Sequence, residues 1–127
     1  MKYDHIVLGA GSAGSIMATG LSEDPERSVL LIEAGPDYPD FERLPEEVKF
    51  GYATATDITT SDHNWQFTGK ATEFSQPMMV PRGKVTGGSS AINGQVFLRG
   101  VPEDYDAWAS LGNDQWGYLQ VLPYFRK

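Results

Sequence analysis

The sequence predicts an α/β fold that opens with a strand–helix–strand unit, and three features indicate it. A short apolar run in residues 3–8 precedes a turn with glycines at Gly9, Gly11 and Gly14. Apolar residues after this turn recur at helical spacing, which predicts an α-helix. A second apolar run, in residues 28–32, predicts the second strand. Because strand, glycine-rich turn, helix and strand follow in this order, we expect a Rossmann-like βαβ unit.

The glycine spacing and a following acid give this unit the features of a dinucleotide site. Gly9 suits the tight turn, Gly11 lets a pyrophosphate approach the backbone, and Gly14 lets the helix lie close to the sheet. Glu33 stands at the carboxyl end of the second predicted strand, where a carboxylate can accept hydrogen bonds from a ribose diol. We therefore predict dinucleotide binding, and the alternative is a strand-to-helix turn that binds nothing.

A second glycine-rich segment, residues 82–100, carries paired serines and little apolar material before Val96. Ser89 and Ser90 can cap a helix that continues through Gln95. Glycines followed by a helix N-terminus present free backbone N–H groups to an anion or to an electron-rich ligand. This pattern predicts a ligand-facing turn, although an ordinary loop with a helix cap fits it equally well.

Together, the glycine triplet, the sequence Glu33-Ala34-Gly35 and the second glycine-rich segment resemble the glucose–methanol–choline (GMC) family of flavin oxidoreductases. The resemblance covers essentially the whole chain. One position departs from the first signature of the family, which prefers an aliphatic residue where this chain has Thr86. The residues that match this signature are Gly83, Lys84, Gly87, Gly88, Ser89, Ser90, Ile92, Asn93, Phe97, Gly100 and Asp106.

The resemblance implies a non-covalent FAD site that draws on both glycine-rich segments. Some relatives bond covalently to the flavin through a histidine at the Ile92 position, and isoleucine has no nucleophile. Asn93 is expected to donate its amide to the ring system or, almost as readily, to cap a turn. Trp65, in a strand predicted over residues 64–68, is a weaker candidate because core packing is the commoner fate of tryptophan. The expected cofactor contacts are Gly9, Gly11, Ser12, Ala13 and Gly14 around the pyrophosphate, Glu33 and Ala34 at the ribose, Trp65 near the flavin, and Val85, Gly88, Asn93, Gly94, Gln95 and Val96 at the flavin half.

For the whole protein, the resemblance implies oxidation of an alcohol, with oxygen or a quinone as the electron acceptor. In this family a histidine takes the hydroxyl proton while hydride passes to the flavin. The family's catalytic pair, His with His or Asn, lies near the C-terminus of the full protein, and neither His5 nor His63 matches it. We therefore expect no catalytic residue in this chain. Residues 1–127 would be the N-terminal portion of an FAD-binding domain, with the remainder of the chain and the substrate domain downstream.

Two other classes of protein stay open on the sequence. The glycine triplet also suits NAD, so an NAD-dependent dehydrogenase is the first alternative, and only the signature in residues 83–106 argues against it. The second alternative is a non-catalytic nucleotide-binding module.

Composition argues against several further classes. The 127 residues carry a net charge of −7 with a pI near 4.6, whereas a nucleic-acid surface needs clustered Lys and Arg. The chain has no cysteine, so we expect no disulfide framework and no thiolate metal site. We also predict no other metal-binding residue. An acid near the start argues against a secretion signal, and no run approaches the roughly 18 apolar residues of a membrane span. We expect a cytoplasmic protein.

The rest of the chain predicts short elements. Pro45 suits the first turn of a helix over residues 44–50, and residues 51–62 are expected to form an exposed connection. His63 has no evident partner nearby in the sequence and is expected to be a solvated loop histidine. Further predictions are an extended run over residues 76–80, a helix from Pro102 to a stop at Gly112, and a helix from Tyr118 with a bend at Pro123.

Overall fold

The chain divides into two compact units, Met1–Gln95 and Val96–Lys127. The computed structural model describes residues 1–51 and 57–126, so part of the predicted connection over residues 51–62 lies outside the described residues. The elements of the first unit are β1 (His5–Leu8), α1 (Ser12–Ser22), β2 (Val29–Ile32), a 3₁₀-helix (Phe41–Arg43), α2 (Glu46–Lys49), β3 (Phe67–Gly69), β4 (Met78–Val80) and a second 3₁₀-helix (Gly88–Ala91).

The predicted βαβ unit is present. Strands β1 and β2 pair in parallel, with His5 opposite Val29, and α1 is the crossover between them. A side-chain clamp precedes this ladder, because the backbone N–H and the hydroxyl of Ser28 both donate to Asp4 Oδ2, at 2.8 and 2.7 Å. Because β1 and β2 are parallel, their carboxyl ends lie at the same edge of the sheet, where ligands bind in open α/β folds.

The predicted strands over residues 64–68 and 76–80 form a small antiparallel hairpin. In this hairpin β3 pairs with β4, and Phe67 lies opposite Val80. The regular strand begins later than predicted, at Phe67, and Asn64 makes only an isolated bridge to Gly83. This bridge connects the segment before β3 to the second glycine-rich segment.

The core of the first unit lies where the glycine-rich segments meet. Among the residues that the structure describes, the buried apolar side chains are Ala10, Val48, Val85 and Ile92, and Val85 is the most deeply buried of these, with 1% of its surface exposed. Helix α2 supplies Val48 and follows Pro45 directly, close to the predicted helix over residues 44–50.

The helix predicted from Ser89 through Gln95 is wrong. The chain makes one turn of 3₁₀-helix, Gly88–Ala91, and Gln95 lies outside it with φ at 54°. The serines do not cap a helix: Ser90 Oγ donates to the carbonyl of Gly87 at 2.7 Å, and Ser89 Oγ accepts from the N–H of Gly83 at 3.1 Å. The hydroxyls therefore close a tight turn instead of starting a longer helix.

The second unit contains the predicted C-terminal helices. Tyr118 N–H donates to Asp106 Oδ1 at 3.0 Å, which connects its two α-helices. The ring of Tyr105 packs edge-on against Trp108 and Phe125. The elements of this unit are α3 (Pro102–Ser110), a 3₁₀-helix (Asp114–Trp116), α4 (Tyr118–Val121) and a last 3₁₀-helix (Leu122–Phe125).

The predicted punctuation of these helices is also present. Gly112 follows α3 with φ at 95°, in agreement with the predicted stop. The predicted helix from Tyr118 is α-helical only to Val121 and continues as a 3₁₀-helix from Leu122, directly before Pro123. None of the helices in residues 1–51 and 57–126 has the length and apolar character needed to cross a membrane.

Two glycines of α1 provide a matched test of close packing in the βαβ unit. A Cβ at Gly14 would lie 1.9 Å from the carbonyl oxygen of Gly9, whereas a Cβ at Gly20 would meet nothing within 4 Å. Gly14→Ala should lower the free energy of unfolding by about 1–3 kcal/mol or more, because the helix must move away from the turn. Gly20→Ala should raise it by about 0.5–1 kcal/mol, since alanine favours the helix. Chemical denaturation of both variants checks this, and equal effects would contradict the packing argument.

Candidate functional site

The two glycine-rich segments meet backbone to backbone. Gly87 donates its N–H to the carbonyl of Ala10 at 2.8 Å, and Gly11 forms a parallel bridge with Gly87. Gly88 has φ at 58°, and a Cβ there would lie 2.8 Å from Gly11 Cα. A side chain at Gly88 would therefore separate the segments, which explains why this turn needs glycine.

Glu33 connects the first glycine turn to the loop that follows β2. Its Oε2 accepts from the N–H of Ala10 at 2.7 Å, and its Oε1 accepts from the N–H of Gly35 at 2.9 Å. The sequence did not predict these two hydrogen bonds to the backbone. Each carboxylate oxygen can accept more than one hydrogen bond, so both retain capacity for a ligand such as a ribose diol.

A cleft of about 500 Å³ opens at the carboxyl ends of β1 and β2, within the first unit. Six of the predicted cofactor residues line it: Gly9, Gly11, Glu33, Ala34, Trp65 and Gly88. The other lining residues are Leu8, Ile32, Phe67, Arg82, Gly83 and Ser89.

The first turn of α1 begins beside this cleft. Gly11 is the N-cap of the helix and has no side chain to satisfy the N–H groups of that turn. Ser12 and Ala13 are exposed, and Gly14 is half-buried. Backbone N–H groups at a helix N-terminus bind anions, so this is the part of the cleft suited to a pyrophosphate.

Trp65 and Phe67 form an exposed aromatic wall. The expectation that Trp65 packs in the core is therefore wrong. Its ring stacks parallel to that of Phe67 at 5.8 Å between centroids, and 44% of its surface is exposed. The ammonium group of Lys84 lies 5.2 Å from the centre of the Trp65 ring, as a cation–π contact. This wall can pack against a planar ligand, and Arg82 adds a positive charge to the cleft lining.

The remaining predicted contacts lie elsewhere. Val85 is 1% exposed, so its side chain packs in the core and only its backbone is available to a ligand. Asn93 Oδ1 accepts from the N–H of Gln95 at 2.7 Å, which is the turn-capping alternative. Gln95 in turn donates its side-chain amide to the carbonyl of Val48 at 2.9 Å. Gly94 is exposed, and Val96 begins the second unit.

The prediction that His63 is a solvated loop histidine is wrong. Its surface is only 7% exposed, and both ring nitrogens are hydrogen-bonded. Nε2 lies 2.7 Å from the hydroxyl of Tyr38, and Nδ1 lies 3.0 Å from Glu47 Oε1 and 3.1 Å from Ser61 Oγ. These four residues are called the His63 cluster below. No local sequence pattern predicts this cluster, because Tyr38 and Glu47 lie 25 and 16 residues before His63 in the chain.

The pKa of Glu47 lies below its ordinary value of 4.5. A hydrogen bond from its own backbone N–H lowers this pKa most, and partial burial opposes the shift. The hydrogen bonds from His63 and Ser61 lower the pKa of Glu47 further. Glu47 therefore remains an ionised acceptor at neutral pH.

Comparison with known proteins gives one consistent match. A family model described as GMC oxidoreductase matches residues 3–127. An oxygen-dependent choline dehydrogenase of Stenotrophomonas maltophilia is 46% identical over 130 residues, which are 99% of this chain and 22% of that protein. A glucose dehydrogenase [FAD, quinone] of Drosophila pseudoobscura pseudoobscura is 42% identical over 132 residues, covering 99% of this chain and 20% of that protein.

A solved structure is also similar to this chain. The crystal structure of pyridoxine 4-oxidase from Mesorbium loti superposes with a TM-score of 0.73 and 32% identity, covering 98% of this chain and 24% of that one. The chain thus spans about a fifth to a quarter of the length of the proteins that it matches.

The lowered pKa of Glu47 predicts an acid-dependent loss of stability. A carboxyl group whose pKa is lower in the folded state contributes stability above its unfolded-state pKa and loses that contribution as the pH falls through the folded-state pKa. Glu47→Gln should therefore destabilise the protein at neutral pH, and the difference from the native protein should shrink as the pH is lowered through and below 4.5. Urea denaturation at a series of pH values measures this.

Glu46→Gln is the matched control for this prediction, because Glu46 is the preceding and exposed residue of the same helix. At neutral pH it should destabilise the protein less than Glu47→Gln, because the hydrogen bonds of His63 and Ser61 go to Glu47. A Glu47→Gln effect that stays constant from neutral to acidic pH would contradict the assignment.

Proposed function

This chain belongs to the GMC oxidoreductase family, and we propose that it forms the N-terminal, FAD-binding portion of an oxidoreductase that acts on an alcohol. The observation that carries the proposal is the backbone contact between the two glycine-rich segments at the carboxyl ends of β1 and β2. This arrangement leaves an unblocked helix N-terminus, a carboxylate and an aromatic wall around one cleft. Those three features suit a pyrophosphate, a ribose and a planar ring, respectively.

Each part of the cleft then has a proposed role. The first turn of α1, with Gly11, Ser12 and Ala13, binds the pyrophosphate through backbone N–H groups. Glu33, already oriented by the N–H of Ala10, binds the ribose diol. Bound FAD supplies an acceptor for hydride, while this chain supplies its binding and orientation.

Non-covalent attachment of FAD is part of the proposal. Ile92 occupies the position at which some relatives carry a histidine bonded to the flavin. Its side chain is apolar and 7% exposed, so it offers neither a nucleophile nor an accessible surface.

The substrate class rests on the relatives. Choline, glucose and pyridoxine, which appear in the names of the matched proteins, all carry alcohol groups. The same names mention oxygen and quinone, which we propose as the classes of electron acceptor. Neither histidine of this chain is placed to take the hydroxyl proton, since His5 lies in β1 and both ring nitrogens of His63 are already hydrogen-bonded. We therefore propose that the base belongs to a further part of the protein, together with the substrate domain.

Visible absorption of the purified full-length protein tests the cofactor and the reaction together. We expect an oxidised flavin band that is bleached without oxygen by one class of alcohol, and acid precipitation should release all the flavin into the supernatant. Flavin that stays in the acid pellet would contradict non-covalent binding. A protein that remains colourless with added FAD and binds NAD would favour the NAD-dependent dehydrogenase, and one that binds a nucleotide without any reduction would favour the non-catalytic module.

Gly11→Ala separates cofactor binding from folding. A Cβ at Gly11 would come no closer than 3.8 Å to Gly88 Cα, an ordinary contact, so the variant should fold with near-native stability. The same methyl group stands where the pyrophosphate must approach the backbone, and FAD affinity should fall by about tenfold to a hundredfold. Fluorescence titration of the apoprotein with FAD measures this, and Gly20→Ala is the control that should bind normally. Unchanged affinity in Gly11→Ala would exclude the proposed pyrophosphate position.

A further inference from the structure

The His63 cluster lies outside the cleft lining, and it ties together three segments that are distant in sequence. Tyr38 belongs to the loop after β2, Glu47 to α2, and Ser61 and His63 to the segment that precedes β3. The cluster is internally satisfied: among the described residues, no buried side-chain nitrogen or oxygen lacks a hydrogen-bond partner. Buried polar groups that are fully paired fix one arrangement of the segments that carry them.

The hydrogen bonds of His63 connect Glu47 to Tyr38 and define which ring nitrogen donates and which accepts. An ionised Glu47 can only accept, so Nδ1 of His63 carries the proton that points to Glu47 Oε1. In the neutral ring Nε2 then accepts from the hydroxyl of Tyr38. An apolar side chain at this position would leave the Tyr38 hydroxyl and the Glu47 carboxylate without this partner.

The backbone next to this bridge holds the second glycine-rich segment. The carbonyl of His63 accepts from the N–H of Lys84 at 2.7 Å. Asn64 Oδ1 accepts from the N–H of Arg82 at 2.9 Å, and the N–H of Trp65 donates to the carbonyl of Arg82 at 2.9 Å. Residues 82–84 are thus hydrogen-bonded along one side to the segment that the His63 cluster fixes.

This support reaches the cleft, because Arg82 and Gly83 are lining residues and Gly88 touches Gly11 only a few positions later. We infer that His63 is a positioning residue of the cofactor site. Held between Glu47 and Tyr38, it fixes the position of residues 82–90 relative to the first glycine turn, residues 9–14. The inference rests on the proposed function, since the cofactor that this turn would serve is FAD. His63 itself touches no cofactor in this role.

The test uses the full-length protein stripped of flavin and titrated with FAD at neutral pH. His63→Leu should weaken FAD binding by about tenfold to a hundredfold, because the turn loses its fixed position. His63→Gln, whose amide can reach the Tyr38 hydroxyl, should recover part of that loss. Glu46→Gln and the exposed, second-unit substitution Tyr124→Phe are matched controls that should bind FAD as the native protein does.

Hydrogen exchange of the apoprotein gives a second readout that needs no cofactor. The amide of Lys84 and its neighbours in residues 82–90 should exchange faster in His63→Leu than in the native protein, while α1 is unchanged. Tyr38→Phe and Glu47→Gln should each weaken FAD binding, and their losses should not add in the double variant, because both act through one imidazole. These milder variants carry the test if His63→Leu does not fold.

The possible results separate this inference from the proposed function. If the native protein binds no FAD, the proposed function is overturned and the inference falls with it. If the native protein binds FAD, while the cluster variants lose thermal stability yet keep native FAD affinity and native exchange in residues 82–90, His63 is only a structural residue and the inference alone is overturned. Weaker FAD binding at a temperature where the variant apoprotein is fully folded supports the positioning role.

Discussion

The contact between Gly11 and Gly88 is the constraint on which the rest of the first unit depends. Two backbones approach so closely there that a Cβ on Gly88 would lie 2.8 Å from Gly11 Cα. Such an approach buries little side-chain surface, so it depends on the hydrogen bond from the N–H of Gly87 to the carbonyl of Ala10 and on neighbouring interactions. On one side Glu33 holds Ala10, and on the other the carbonyl of His63 holds Lys84. Each of the two glycine-rich segments therefore has its own support, Glu33 for the first and His63 for the second.

In the proposed site, Glu33 serves both the fold and the ligand. Its two backbone hydrogen bonds immobilise the carboxylate before any ligand arrives. A ligand hydroxyl that binds the remaining lone pairs then meets a group whose rotamer entropy has already been lost on folding, which favours tight binding. The same logic applies to the first turn of α1, whose backbone N–H groups are fixed by the helix itself.

The sequence predicted those elements of the fold that depend on local patterns of apolar residues and glycines. The βαβ unit follows from periodicity around Gly9 and Gly14, and the end of α3 follows from Gly112. The predicted helix after Ser89 failed because the chain leaves the helical conformation at Ile92, where φ is −123° and ψ is 0°, and Gln95 has a positive φ of 54°. The cluster around His63 was out of reach for another reason, since its partners are brought together only by tertiary packing.

The bonding of His63 also bears on how the chemistry is divided within the protein. A general base must have a free lone pair directed at the substrate proton. Nδ1 of His63 points to Glu47, Nε2 meets Tyr38, and the side chain is buried, so this imidazole has no nitrogen to offer a substrate. His5 lies in strand β1. In the proposed division of roles, this chain therefore holds the cofactor in place, and the base that takes the proton of the alcohol lies in a further part of the protein.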